Sequence, residues 1–168
     1  MSDILEKLEG RDRRSIGRAN EVVDDVLRDP ALFDEVFGGM LSDDPIVRMR
    51  AADAVEKITQ KRPAYLEPHK AVLINQVAAV EQQEVRWHVA QMAPRLELTA
   101  EERRRVAETL FDYLDDESKI VQVNAMQADL AEEDEELRLR VLKALRALVE
   151  TGSAAVRNRG RKLLAQLG

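Results

Sequence analysis

The sequence has no cysteine among its 168 residues, which excludes disulfide bonds, thiolate catalysis and cysteine-ligated zinc. Aromatic residues make up only 4% of the chain, so its core has to be built from Ala, Leu, Val and Ile, which suits close helix packing. The longest wholly apolar runs, such as residues 71–74, are far shorter than the ~20 residues that a membrane span needs. The first residues also lack the basic and apolar regions of a signal peptide. From these absences we expect a soluble, cytoplasmic protein that makes no contact with membranes.

The chain does contain enough apolar material for a folded domain. Hydrophobic residues make up 45% and charged residues 35% of the sequence, a balance that argues against disorder. The formal net charge of −6 speaks weakly against bulk nucleic-acid binding. Composition therefore predicts an all-α fold.

A valine opens an alanine-rich helical stretch four times in the chain, at Val47, Val85, Val121 and Val156. Successive valines are 38, 36 and 35 residues apart, and three of the four are followed by arginine. Periods of this size are typical of stacked helix pairs, because a single pair cannot bury its own apolar faces. The recurrence predicts an α-solenoid.

Start signals mark the two helices of each pair. Good capping residues precede three of the valine helices, at Asp44, Ser118 and Ser153, whereas Gln82 is a poor cap. The other helix of each pair shows an apolar stripe at helical spacing. Ahead of the first pair, an unpaired helix is predicted over 12–28, with Ile16 on its apolar face. The first helices of the four pairs are predicted over residues 30–41, 66–80, 100–114 and 135–149.

The segment DDPIVRMRAADAVEKI, from Asp43 to Ile58, resembles the second helix of a HEAT repeat, and the segments EVRWHVAQMAPRL and AAVRNRGRKLLAQL are similar. The resemblance implies a right-handed superhelix in which the valine helices line the concave side. It also implies one continuous domain behind N-terminal capping helices. The predicted boundaries are 1–29 for the capping helices and 30–62, 63–98, 99–133 and 134–168 for the four repeats.

The third repeat departs from this pattern. In the other repeats, the residues seven, eight and eleven positions after the motif valine are apolar. In the third repeat these residues are Ala128, Asp129 and Glu132, so two of the three are acidic. Because charge falls where core is expected, we predict that this helix ends or changes register near 128–130. The alternative is that Asp129 is a deliberately buried carboxylate at a functional site.

The positions two, three and six residues after each motif valine point away from the buried face, and we expect them to form the concave binding surface. Trp87, the only tryptophan, is either an anchor for a partner or packing between adjacent repeats. Arg95 lies one further turn along the second valine helix. The predicted partner-binding residues are Met49, Arg50, Asp53, Trp87, His88, Gln91, Arg95, Asn124, Gln127, Arg159 and Lys162.

No catalytic constellation can be assembled from the sequence. The two histidines, His69 and His88, lie on different predicted helices and not at metal-ligand spacing, so we expect no metal and no other cofactor. HEAT-repeat hydroxylases use His-Glu pairs, but here the histidines are followed by Lys70 and Val89. The chain is therefore predicted not to be an enzyme.

Arginines have a structural interpretation before a functional one. Those that follow the motif valines are expected to bridge neighbouring turns, a series that Gln122 interrupts. The run 103–105 is expected to pair with glutamates on its own helix. We predict a non-catalytic scaffold that binds a protein or peptide partner, with an acidic partner well suited to the surface. The alternative is a nucleic-acid-binding protein that uses its basic terminal helices.

Overall fold

The computed structural model describes residues 2–127 and 133–167. Across these residues the secondary structure is entirely helical, as the composition predicts. No helix of this described part is long and apolar enough to cross a membrane. The chain divides into two compact units, Met1–Glu97 and Leu98–Gly168, and the border lies beside the predicted start of the third repeat at residue 99.

The first unit is organised around one long central helix, α4. Helices α2, α3 and α6 all pack against it. Ala51, Ala52 and Ala54 of α4 are fully buried, and their small side chains let neighbouring helices approach closely. Short 3-10 turns join the helices, and they lie at Pro30–Leu32, Gly39–Leu41, Pro63–His69, Val77–Ala79 and Ala93–Arg95. The α-helices of this unit are α1 (Asp3–Glu6), α2 (Ala19–Arg28), α3 (Phe33–Gly38), α4 (Pro45–Lys61), α5 (Lys70–Asn75) and α6 (Gln83–Met92).

The core of the first unit follows the predicted apolar stripes. The motif valines Val47 and Val85 are buried. The predicted stripe of the first pair is buried throughout, and His69 stacks on Phe37 with ring centroids 4.4 Å apart. The cap assignments are also confirmed, because Asp44 accepts a hydrogen bond from the Ile46 N–H at 2.7 Å while Gln82 makes no side-chain cap.

The predicted N-terminal helix over 12–28 begins only at Ala19. Residues 9–18 form a loop instead, and Ile16 is exposed rather than part of an apolar face. One cause is local, because Gly17 has a φ of +55°, in the left-handed region that interrupts a right-handed helix. The other cause is tertiary, because Arg50 of α4 binds carbonyl oxygens of this loop.

The predicted helix over 66–80 is also more broken than expected. It consists of the 3-10 turn Pro63–His69, the short helix α5 and the 3-10 turn Val77–Ala79. Pro68 has no N–H to donate to an α-helical ladder, which explains the irregular first part. Of the predicted stripe, Leu66, Leu73 and Val77 are nevertheless buried and Val80 is half-buried, so most of the stripe is kept without a continuous helix.

The second unit contains two helix pairs. Helix α7 packs against α8, α9 packs against α10, and α10 also packs against α8. The predicted capping box is present, since the Thr99 hydroxyl accepts from the Glu102 N–H and the Glu102 carboxylate accepts from the Thr99 N–H. The helices of this unit are α7 (Ala100–Leu114), α8 (Lys119–Ala125), α9 (Glu135–Thr151) and α10 (Ala154–Leu167).

Helix α8 is the shortest of the four valine helices. It ends at Ala125, three residues before the predicted range 128–130, and Met126 follows as its C-cap. Met126 is buried and belongs to the core that α9 and α10 share. The question of whether Asp129 is a buried carboxylate lies outside the described residues.

Candidate functional site

In three of the four valine helices, the side chain of the residue after the motif valine forms a hydrogen bond with the turn that precedes the helix. The side chains of Arg48, Arg86 and Gln122 each donate a hydrogen bond to the backbone carbonyl six residues earlier, at 2.7, 3.3 and 2.7 Å respectively. The bridging role expected for these arginines is confirmed for Arg48 and Arg86. Gln122 does not interrupt the series as its sequence suggested, because an amide nitrogen can make the same contact. Arg157, in the fourth repeat, is exposed.

Arg50 differs most from its expected place in a solvent-facing row. It is only 4% exposed, and its guanidinium donates to the carbonyls of Leu8 and Glu9 and, at 3.2 and 3.0 Å, to those of Asp12 and Ser15. Five fixed N–H donors make arginine suited to this many acceptors. The side chain is therefore occupied inside the first unit, where it fixes the loop 9–18.

Arg95 is also occupied within the fold. Its guanidinium donates to the Glu56 backbone carbonyl at 2.8 Å, to the Glu56 carboxylate at 2.5 Å and to the Thr59 hydroxyl at 2.9 Å. Glu56 and Thr59 are buried on α4. This network links the end of α6 to α4, and we infer that Arg95 supports the fold.

Trp87 and His88 lie side by side at the start of the second turn of α6. Trp87 is half-buried, and its ring meets the His88 ring edge-on at 5.6 Å. His88 itself is buried beside Gln91, whose side-chain oxygen lies 2.9 Å from Nδ1. Burial lowers the pKa of His88, against the opposing effects of the Gln91 hydrogen bond and of the Asp53 and Glu56 carboxylates. The prediction that His88 and Met49 point to solvent is wrong, because both side chains are buried.

In the first unit, only a small and mainly polar part of the predicted binding surface is accessible. Asp53 forms an ion pair with Lys57 at 2.8 Å, and Lys57 also donates to Asn20 on α2 at 3.0 Å. Trp87 and Gln91 on α6 are both half-buried. These residues lie on three packed helices, α2, α4 and α6. We call them the Trp87 surface.

The second unit contains the remaining predicted residues, which lie on α8, just after it at Gln127, and on α10. The Arg159 guanidinium donates to the Met126 carbonyl at 3.3 Å, which links the two helices. Asn124 and Gln127 bond to nearby backbone carbonyls, and Lys162 is exposed. We call this the α8–α10 surface, and its exposed members are Ile120, Asn158 and Lys162, with Val123, Asn124, Gln127 and Arg159 half-buried.

Ile120 is the member of this surface that the sequence analysis missed. It is 54% exposed, whereas Ile46, at the equivalent position before the first motif valine, is buried. No periodicity signal distinguishes the two, because the difference depends on what packs against each helix. Because α8 packs against α10, which carries Arg159 and Lys162, an exposed isoleucine on α8 makes this surface amphipathic and not purely polar.

The arginine run on α7 pairs mainly with the chain after α8 rather than with its own helix. Arg103 and Arg104 bind Glu133 and Asp134 at 3.1 and 2.9 Å, and only Arg105 pairs within α7. A hydrogen bond from the Leu137 N–H, then the Arg104 hydrogen bond, lower the pKa of Asp134. This run therefore has a structural explanation.

Metal-binding chemistry finds no support in the part of the chain that the structure describes, since no group of three or more candidate ligand side chains is present there. Comparison with known proteins finds no matching family model, no similar curated protein and no similar solved structure. The function of this chain therefore has to be inferred from its own residues.

Proposed function

We propose that this protein is a non-catalytic interaction module that binds an acidic, amphipathic peptide or helix on the α8–α10 surface. The observation that supports it is the charge of α10. Its 14 residues include four cations and no acidic residue, in a chain whose net charge is −6. The four cations are Arg157, Arg159, Arg161 and Lys162.

The chemistry of the neighbouring residues favours a peptide over a nucleic acid. On α8, which packs against α10, Ile120 and Val123 offer apolar contact and Asn124 offers an amide group, and Gln127 offers a second amide just after the helix. A phosphate backbone gains nothing from an exposed isoleucine, whereas a peptide with an apolar and an acidic side uses both.

A HEAT-like superhelix belongs to the same proposal. It is supported by the recurring valine helices, by the shared carbonyl contact six residues upstream and by the packing of α4 on α6 and of α8 on α10. Within the first unit, the half-buried Trp87 is then a second candidate anchor for a partner.

The test is a pull-down from nuclease-treated lysate with two matched double variants. One variant changes the α8–α10 surface, by Ile120→Ser and Lys162→Glu. The control changes α9 by the same chemistry, by Leu139→Ser and Lys143→Glu, because Leu139 is 58% exposed and Lys143 is exposed. Circular dichroism establishes that both variants remain folded.

We expect one protein to be retained by the wild type and by the control, and lost from the α8–α10 variant. Its purified form should bind with only modest salt dependence, because part of the contact is apolar. Equal retention by both variants contradicts the proposal. A parallel pull-down from untreated lysate tests the second candidate function, nucleic-acid binding through α10, which is favoured if the wild type recovers a partner there and nuclease treatment abolishes that recovery.

A further inference from the structure

The loop of residues 9–18 displays most of the exposed arginines of the first unit. Residues 11–18 are all exposed, and four of them are arginines. Arg14 and Arg18 have acidic neighbours, Asp12 at 3.6 Å and Glu21 at 2.8 Å. In the described part of the chain, Arg11 and Arg13 form no ion pair. Their charge is therefore available to a ligand.

Arg50 holds this loop from beneath. Its side chain is buried and bonded to three loop carbonyls and to the carbonyl of Leu8 just before the loop, and among the described residues it forms no ion pair of its own. Close packing confirms the fit, since a β-carbon on Gly10 would lie 2.5 Å from a guanidinium nitrogen of Arg50. A fifth cation thus lies directly under the exposed arginines. Its charge adds to the positive potential of the loop.

The inward carbonyls also fix the direction of the loop amides. In a planar trans peptide the N–H points opposite to the C=O, and no cis bond occurs among the described residues. Because the carbonyls of Glu9, Asp12 and Ser15 point at Arg50, the next N–H groups, those of residues 10, 13 and 16, point away from it. None of these three has a hydrogen-bond acceptor among the described residues. The outer surface of the loop therefore presents donors and cations.

We propose that loop 9–18 binds the phosphate groups of a linear polyanion, with its outward N–H groups and the side chains of Arg11, Arg13 and Arg14 as the donors. Oriented backbone amides and arginine forks are the usual partners of phosphate oxygens. The loop exposes a single apolar side chain, Ile16, and no aromatic one, so apolar contact with a peptide contributes little. The phosphates could come from single-stranded nucleic acid or from inorganic polyphosphate. This site is independent of the α8–α10 surface.

The acidic residues near the loop limit where the ligand lies. Arg13 lines a cleft of about 260 Å³ together with Arg48, and the lining of that cleft also includes Glu81 and Glu84. These carboxylates repel a phosphate inside the cleft. The ligand therefore lies on the side of residues 10–14, and neutralising the two glutamates should tighten binding.

The experiment measures fluorescence anisotropy of a labelled 20-nucleotide oligothymidylate at 50, 100 and 200 mM salt. The loop variant is Arg11→Ala, Arg13→Ala and Arg14→Ala. The control variant removes three exposed cations that lie outside the loop and outside the α8–α10 surface, by Lys61→Ala, Arg62→Ala and Arg146→Ala, so that both variants change the net charge equally. Thermal melts followed by circular dichroism compare their stability with the wild type.

We expect the loop variant to bind about tenfold or more weakly at 50 mM salt, with a salt slope smaller by about two, because three phosphate contacts are lost. The control variant should stay within about threefold of the wild type, and the double variant Glu81→Gln and Glu84→Gln should bind more tightly. Polyphosphate should compete and polyglutamate should not. If polyphosphate displaces the oligothymidylate when both are at the same concentration of phosphate groups, the site recognises phosphate alone. If polyphosphate displaces it only weakly, the site recognises a nucleic-acid strand.

Three results overturn the proposal: no binding by the wild type at 50 mM salt, equal losses in the loop and control variants, or polyglutamate competing as well as polyphosphate. The first two exclude a localised site and the third excludes phosphate selectivity. None of them bears on the α8–α10 surface, whose test uses other residues.

Discussion

The guanidinium of Arg50 fills the space beside Gly17. A β-carbon on Gly17 would lie 2.5 Å from Nη1 of Arg50, closer than any real contact, and the glycine φ of +55° is itself unfavourable for other residues. The loop 9–18 and helix α4 are thus fitted to each other at one point. This fit explains why α2 begins only at Ala19.

Replacing Gly17 by alanine tests this fit. We expect Gly17→Ala to lower the free energy of unfolding by about 1–3 kcal/mol, because alanine is strained at positive φ and its methyl group displaces the guanidinium. The matched control is Gly38→Ala, where a β-carbon meets nothing within 4 Å. That change should be neutral or stabilising by up to about 1 kcal/mol. Chemical denaturation measures both, and equal effects at the two sites would contradict the interpretation.

Removing the Arg50 side chain should release the loop. We expect Arg50→Met to lower the free energy of unfolding by about 3 kcal/mol or more, because four carbonyls lose a charged donor. Arg50→Lys should restore only part of this, since an ammonium group has three donors on a single atom. Hydrogen exchange should accelerate over residues 9–19 and α2 while the second unit stays protected. Unchanged exchange in that segment would be inconsistent with Arg50 as its anchor.

The residue after the motif valine should matter more for stability where its side chain binds the carbonyl six residues earlier than where it is exposed. Gln122→Ala should lower the free energy of unfolding by about 0.5–1.5 kcal/mol, the usual net value of one hydrogen bond. Arg157→Ala, at the equivalent but exposed position of the fourth repeat, should change it by less than about 0.5 kcal/mol. Urea titrations of the two variants provide the comparison. A larger effect at Arg157 would show that the fourth repeat uses the contact as well.

His88 should make the protein less stable in mild acid. Burial lowers its pKa below the ~6.5 of an unfolded chain, so between these two pKa values the unfolded chain binds the additional proton. The free energy of unfolding therefore rises with pH through this window and falls as the pH drops below ~6.5. His88→Gln should remove that part of the pH dependence. An NMR titration giving a His88 midpoint at or above 6.5 would refute the assignment.

Much of the fold could be predicted from local patterns. The capping box at Thr99, the cap at Asp44 and the extent of α7 follow from side chains that satisfy backbone groups a few residues away. Buried positions at helical spacing, such as the four motif valines, were equally predictable. Local signals of this kind depend on few neighbours, and a sequence states them directly.

The candidate site could be predicted only in part, because exposure depends on which helix packs against which. Arg50 and Lys162 occupy outward-facing positions by helical periodicity, yet Arg50 is buried under loop 9–18 and Lys162 is exposed. The same argument applies to Ile46 and Ile120, which share a position in the repeat but differ in burial.

By itself, the sequence determined that this protein is helical, where most of its helices begin and which side chains form its core, because these features depend on spacing and on nearby groups. Only the tertiary structure decided that Arg50 anchors a loop, that Arg95 joins α6 to α4 and that Arg103 and Arg104 bind the chain after α8. A guanidinium has donors for many acceptors, and no sequence pattern states which carbonyl or carboxylate, dozens of residues away, the fold will bring within reach.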